Sequence, residues 1–211
     1  MKVDSIRKEY KYAALTEDNI PQNPMQKFEQ WINEALNAKI NDPTAMSITT
    51  IGSDGFPQSR IVLLKNFNEE GFIFFTNYNS QKGNAILNNP SVSLLFFWHE
   101  LERQVRITGL AEKTTNEISD RYFQSRPLNS QAAAIVSSQS EKIGSRDELE
   151  KHFNELIKNL PEDHFDRPSN WGGFLIKPIK IEFWQGRENR LHDRILYEKI
   201  NGNWQISRLA P

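Results

Sequence analysis

Three clusters of side chains in this sequence have the types and spacing to hold an anion. In "EFWQGRENRLHDR", residues 182–194, Arg190, His192 and Arg194 occupy every second position, and on an extended strand alternate side chains share a face. Cationic groups crowded on one face destabilise a strand unless an anion or a carboxylate offsets them. Arg60 and Lys65 bracket "RIVLLK", and Lys82 ends "SQK" where a helix begins, which puts its ammonium near the helix's positive end. Tyr122 and Arg126 lie four apart, hence adjacent on a helix surface, and Ser130 follows Pro127. A phosphate monoester, with about −1.5 to −2 charges and three acceptor oxygens, matches such donors.

Each cluster also has a plainer reading. A lone arginine on a strand is ordinarily solvated or paired with a carboxylate. Tyr122 and Arg126 can simply cap and pack their helix, Trp184 is of the type that fills cores, and Trp171 with Gly172-Gly173 can mark no more than a close backbone approach. Arg60 and Lys65 differ by an odd number, so a regular strand turns them to opposite faces. For both to serve ligands, a bulge or strand end must re-aim one of them, or the strand must lie between two sites.

Composition removes other chemistries. Lys+Arg 26 against Asp+Glu 27 leaves a formal charge of -1, so the chain as a whole is no polyelectrolyte partner for nucleic acid or an anionic membrane, and any anion site must be local. With no cysteine there are no disulfides, thiolate nucleophiles or Cys-ligated metals, and the four histidines, His99, His152, His164 and His192, show no paired metal spacing. No metal site is expected. No run approaches the roughly 20 apolar residues of a membrane span, and "MKVDSIRKEYKYAALTED" lacks the apolar run of a secretory signal, so a cytoplasmic location is the expectation. Neither G-x-G-x-x-G nor G-x-x-x-x-G-K-[ST] occurs, which leaves phosphate binding to strand and helix-end cations.

The elements that must position these residues follow from periodicity. Residues 1–23 are polar and weakly periodic, an arm that is mobile or ordered only by contact, and residues 24–211 read as one domain. Pro24 opens a helix marked by Met25, Phe28, Ile32, Ala35 and Leu36, and "NDP" at 41–43 is expected to stop it. "AMSITTI", "QSRIVLLK" and "GFIFFT" then predict strands joined by turns at Ser53–Gly55 and Asn68–Gly71, an antiparallel meander.

A short helix over Lys82–Leu87 precedes two long strands in "SVSLLFFWHELERQVRITGLAE". Thr114 with Glu117 predicts a capping box for a helix ending at Arg126-Pro127, and Ser145 with Glu148 another for a helix to about Asn159. Strands return in "WGGFLIKPIKIEFWQG" and "RLHDRILYEKINGNWQISRLAP", where Asn201-Gly202 is the strongest hairpin signal. Strands with helices inserted between them indicate an antiparallel barrel or sandwich of the α+β class.

"RIVLLK", "FFTNYNSQK", "ERQVRITG", "RYFQSRPLNSQ", "SSQS", "WGGF", "EFWQGRENRLHDR" and a closing "RLAP" run in one register from about Arg7 to Pro211, and together they resemble the pyridoxine (pyridoxamine) 5′-phosphate oxidase family. The resemblance implies an FMN-binding antiparallel split β-barrel with peripheral helices, and a homodimer with flavin sites at the subunit interface. It implies oxidation of pyridoxamine 5′-phosphate or pyridoxine 5′-phosphate to pyridoxal 5′-phosphate, with O2 as acceptor giving H2O2. By the same resemblance the FMN contacts are Arg60, Ile61, Val62, Leu63, Leu64, Lys65, Phe75, Thr76, Lys82, Gln104, Gln139, Ser140, Trp184 and Arg194. The substrate contacts are Lys65, Tyr122, Arg126, Ser130, Arg190 and His192, with Arg190 and His192 as the catalytic pair, while Arg7 and Tyr10 belong to a segment that folds over the substrate.

One position departs from the family pattern: Gln81 stands where an arginine is usual, so one cation beside the flavin phosphate is expected to be absent and FMN to bind more weakly. Two rival readings share parts of this motif set. Another flavin enzyme on the same barrel has no use for Tyr122, Arg126, Ser130, Arg190 and His192 together, whereas a protein that only stores FMN or pyridoxal phosphate would keep both sets.

Overall fold

The computed structural model describes residues 9–158, 161 and 163–211. Asn23 caps the first helix by accepting from the Met25 N–H, and Pro24, whose missing donor costs nothing at this position, begins it. Helix α1 (Pro24–Asn37) stops before the predicted "NDP": its last turn closes on Ala38, and Lys39 then takes a left-handed φ of 53°. Strands β1 (Ala45–Ile51) and β2 (Pro57–Leu63) form a hairpin, as do β3 (Asn66–Asn68) and β4 (Gly71–Asn77). Helix α2 (Gln81–Asn88) is capped by Ser80, and β5 (Ser91–Trp98) joins β6 (Arg103–Lys113) through a single 3-10 turn.

Helices α3 (Asn116–Gln124), α4 (Leu128–Val136) and α5 (Arg146–Ile157) follow, then β7 (Trp171–Gln185), β8 (Asp193–Ile200) and β9 (Asn203–Arg208). The cap of α3 is Thr115, one residue later than predicted, because Thr114 is drawn instead into a 2.9 Å hydroxyl contact with Ser119. Helix α4 was not expected from the sequence; its signals are Pro127 at the N-cap and three consecutive alanines.

Among the described residues nine strands form one antiparallel sheet ordered β2-β1-β5-β6-β7-β4-β3, with β8 on β7 and β9 on β8. This corrects the predicted meander: β2 and β4, separated in sequence only by the short β3, stand near opposite ends of the strand path, and the curl of the sheet returns them to each other, where the Lys65 N–H donates to the Ile73 carbonyl at 2.9 Å. Strand β7 is shared. Its first half lies between β4 and β6 and its second between β6 and β8. The register shifts opposite Thr108/Gly109, at Pro178, a residue that cannot donate to a ladder and so suits a bulge.

Helix α1 fills the curl. Phe28 is fully buried and meets Phe67, Phe72 and Phe96 edge to face with centroids 5.0, 4.9 and 5.1 Å apart, and Trp31 meets Phe183 at 5.2 Å. Each such side chain contributes about 1.5–3 kcal/mol by leaving water. Residues 9–23 are tied to this body at several points: Leu15 is buried and its N–H donates to Asp193, Tyr197 donates to the Pro21 carbonyl, and Arg208 donates to Glu17 and the Leu15 carbonyl.

Among the described residues no helix is long and apolar enough to cross a membrane, and no group of three or more His, Asp or Glu could hold a metal ion.

Candidate active site

Two of the three sequence clusters contribute to a hollow of about 400 Å³ between the end of β2, the end of β4, the start of α2 and the helices α3 and α4. Strand β2 stops at Leu63, so Lys65 lies past its end and is free of the alternation that would have turned it away from Arg60. Ile61, Val62, Leu63, Lys65, Phe75, Thr76, Lys82, Tyr122, Arg126 and Gln139 all line the hollow. Among the described residues the lining holds three cations, Lys65, Lys82 and Arg126, and no carboxylate.

Lys82 is held in a cage of neutral acceptors. Its ammonium donates to Thr76 Oγ1 at 3.2 Å and to Gln139 Oε1 at 3.1 Å, and Thr76 donates to the same Gln139 oxygen at 3.1 Å. Burial first, and then the neighbouring Arg60 guanidinium, lower its pKa to about 8. Arg60 is half-buried at the edge of this cage, spending donors on Thr50 Oγ1 and the Gln58 carbonyl at 2.8 Å each, and burial lowers its pKa too.

At the other wall, three aromatic rings lie nearly parallel. Phe75 stacks on Tyr122 with centroids 3.9 Å apart at 18°, and Trp171 lies 6.1 Å from Tyr122 at 7°. The Arg126 guanidinium sits over Trp171, with its carbon 4.8 Å from the ring centre, and its Nη1 is buried without a hydrogen-bond partner among the described residues. Burial lowers the Arg126 pKa and raises that of Tyr122, while their mutual attraction opposes both shifts. A buried donor left unpaired costs about 1–3 kcal/mol, so this wall is built for an acceptor.

A second cluster forms at the far end of β7. Trp184 stands in register with Gln104 on β6 and Arg194 on β8, and His192 packs on Trp184 at 4.7 Å. Tyr10 from the arm closes edge-on against both rings at 5.7 Å. It can approach because residue 186 is glycine: a Cβ there would stand 2.7 Å from Tyr10 Cγ. His192 Nδ1 accepts the Arg187 N–H at 3.1 Å, which leaves its proton on Nε2; burial, then Arg190, lower its pKa against the pull of Asp193.

The shared strand face expected for Arg190, His192 and Arg194 is absent. Asn189 and Arg190 take left-handed φ values of 56° and 61° inside a 3-10 turn, and β8 starts only at Asp193, so the alternation never begins. Arg194 is offset by a carboxylate, donating to Glu182 at 2.9 Å and to the Ala210 carbonyl at 2.8 Å.

The predicted residues therefore divide. Gln104, Trp184, Arg190, His192, Arg194 and Tyr10 belong to the second cluster, and none of them lines the first hollow. Leu64 is a core residue, while Ser130 in the first turn of α4 and Ser140, at φ 76°, do not line the hollow either. Gln81 is exposed at the first position of α2. Arg7 lies outside the described residues. Asn77, Ala133, Ala134, Ser137 and Trp171 line the hollow and were not anticipated; the stretch between Pro127 and Ser137, small-residued and helix-forming, was the signal for two of them.

Residues 32–159 match the family model described as pyridoxamine 5′-phosphate oxidase, and residues 171–211 match one described as pyridoxine 5′-phosphate oxidase C-terminal dimerisation region. The chain is 49% identical over 210 residues to a pyridoxine/pyridoxamine 5′-phosphate oxidase of Trichormus variabilis, covering 99% of this chain and 98% of that one, and 51% identical over the same length and shares to one of Flavobacterium johnsoniae. Among solved structures, PhzG of Burkholderia lata 383, in complex with tetrahydrophenazine-1-carboxylic acid, superposes with a TM-score of 0.88 at 28% identity over 94% of this chain and 98% of that one. A pyridoxamine 5′-phosphate oxidase-related, FMN-binding protein of Nostoc punctiforme shares the fold at a TM-score of 0.74, 15% identity, 91% of this chain and 100% of that one.

Proposed function

The chain belongs to the pyridoxamine 5′-phosphate oxidase family, and from that premise we propose that it oxidises pyridoxamine 5′-phosphate and pyridoxine 5′-phosphate to pyridoxal 5′-phosphate, using FMN with O2 as acceptor and releasing H2O2. The observation that carries this reading is the hollow lined, among the described residues, by three cations and no carboxylate, in which Arg126 Nη1 is buried and unpartnered by any of them. That is a site for phosphate esters, and both the cofactor and the substrates are phosphate esters.

The residues fit FMN. Lys82, with Arg60 beside it, would hold the cofactor phosphate at the start of α2, and Gln139 and Thr76 would fix the ammonium's direction. Lys65, Tyr122 and Arg126 would hold the substrate phosphate, with the guanidinium kept in place by its seat on Trp171. Bound FMN supplies the two-electron acceptor for the hydride leaving the substrate carbon, and dioxygen receives those electrons as hydrogen peroxide. The alcohol yields the aldehyde directly, and the amine yields an imine that water hydrolyses.

Arg190, His192 and Tyr10 do not line this hollow within one subunit. Trp171 and Trp184 are 13 positions apart on β7, roughly 40 Å of strand path at ~3.3 Å per residue, which supports a site completed from elsewhere. The reading therefore includes a homodimer in which a second copy brings its own β7–β8 end to the hollow. The second cluster lies within residues 171–211, the stretch matching the dimerisation-region model, apart from Tyr10 and Gln104. In that arrangement His192 and Arg190 bound the substrate ring and hold it in the orientation hydride transfer needs, with Tyr10 excluding water.

The deciding experiment adds pyridoxine 5′-phosphate to the FMN-loaded protein, follows oxygen uptake in air and the flavin absorbance without it. Uptake with anaerobic bleaching supports the reading. A holoprotein that binds the ester but neither bleaches nor consumes oxygen is a storage protein.

A further inference from the structure

Glu102 is used by nothing described so far, yet it touches both walls of the Tyr10–Trp184–His192 cluster. It stands at the C-cap of the 3-10 turn between β5 and β6, buried, with a left-handed φ of 54° that a non-glycine residue adopts only when its surroundings hold it there. One carboxylate oxygen accepts two consecutive main-chain donors of the arm, the Lys11 N–H at 2.7 Å and the Tyr12 N–H at 2.9 Å. The Glu102 carbonyl, pointing the other way, accepts the Gly186 N–H at 2.8 Å and a Gln185 side-chain N–H at 3.2 Å.

We propose that Glu102 is a positioning residue for the substrate-covering cluster: its side chain fixes the arm immediately after Tyr10, and its main chain fixes the β7 end against whose Gly186 the Tyr10 ring packs. The inference rests on the oxidase reading for its catalytic meaning, and on geometry alone for its mechanical one. A carboxylate suits the task because two adjacent N–H groups aimed at one point form an anion-binding concavity, and a charged acceptor strengthens both bonds. The charged contacts beside Tyr10, Lys11 with Glu9 at 3.3 Å and with Glu188 at 3.1 Å, are exposed and screened, so the buried carboxylate is the firmer hold on the register of Tyr10.

The test uses the FMN-loaded full chain with Glu102→Gln, Glu102→Ala, Tyr10→Ala and the double variant Tyr10→Ala/Glu102→Ala. Amide hydrogen exchange should speed up at Lys11 and Tyr12 in both Glu102 variants while α1 and β5 keep their protection. Kinetically, Glu102→Ala should raise KM for pyridoxine 5′-phosphate roughly tenfold, the scale of one charge-assisted hydrogen bond, with Glu102→Gln smaller and kcat little changed. In the Tyr10→Ala background the same substitution should add almost nothing, because its effect passes through Tyr10. Unchanged exchange at residues 11 and 12 in both variants overturns the proposal, as does a KM effect that persists in full without Tyr10. Should the wild-type protein take up no oxygen, the oxidase reading fails by itself, and the exchange measurement still decides for or against Glu102 as the clamp.

Discussion

The Arg126 guanidinium carbon lies 4.8 Å from the centre of the Trp171 ring, with Nη1 buried and unpaired among the described residues. A cation seated on an aromatic face with one donor unpaired costs stability as it stands, and on the proposed reading the substrate phosphate supplies the missing acceptor. Replacing Arg126 with Met should therefore stabilise the ligand-free protein, by about 1 kcal/mol, while raising KM for both phosphate esters by ten-fold or more, on the order of 1.4 kcal/mol. Thermal unfolding and steady-state kinetics on the same preparations check it; a variant that loses both stability and substrate binding would show that the guanidinium is structural.

Lys82 gives a pH dependence whose sign follows from burial. Its pKa is depressed to about 8 from the ordinary 10.5, so the unfolded chain binds more protons than the folded one between those values, and the folded state of the ligand-free protein gains stability as pH rises through that window. A bound phosphate reverses the preference, since it favours the charged ammonium. FMN affinity should therefore fall above pH 8, by up to about tenfold per pH unit, and Lys82→Gln should bind FMN weakly with a much flatter profile. Fluorescence titration with FMN from pH 7 to 9.5 measures this, and a wild-type profile as flat as that of the variant would contradict it.

Phe28 tests the scaffold rather than the site. It is fully buried against Phe67, Phe72 and Phe96, so Phe28→Ala should cost about 3–5 kcal/mol, whereas Phe28→Leu should cost a good deal less. Denaturant unfolding of the FMN-free protein separates the two, and equal midpoints would mean the cavity collapses without penalty.

Local signals made most of this fold legible, and non-local ones hid the rest. Pro24 with its apolar stripe, the Ser145 cap and the Asn201-Gly202 turn each act within a few residues, and α1, α5 and the β8–β9 hairpin formed where they indicated. The sheet order was not legible, because β1 takes β5 as its second partner across an intervening hairpin and a helix. The alternation of Arg190, His192 and Arg194 misled for a backbone reason: two consecutive left-handed residues interrupt the chain, and nothing in a period-2 pattern reports φ. The motif residues were visible one by one. That they form two clusters at opposite ends of β7 was not, since motif spacing carries no mark of which end of a long strand each residue joins.

That division yields the sharpest prediction. If the hollow with Arg126 is completed by the Arg190 loop of a second copy, then Arg126→Ala and Arg190→Ala homodimers are each impaired at both sites, Arg190→Ala losing more than tenfold in kcat/KM, about 1.4 kcal/mol of transition-state stabilisation. Random reassortment of the two makes half the dimers mixed, and each mixed dimer holds one doubly altered site and one intact site. Mixing equal amounts after reversible dissociation should thus restore about a quarter of wild-type activity. A site assembled within one subunit has no intact copy in any of these dimers, so activity that stays at the level of the parents after verified subunit exchange would place Arg190 and Arg126 on the same chain and remove the composite site.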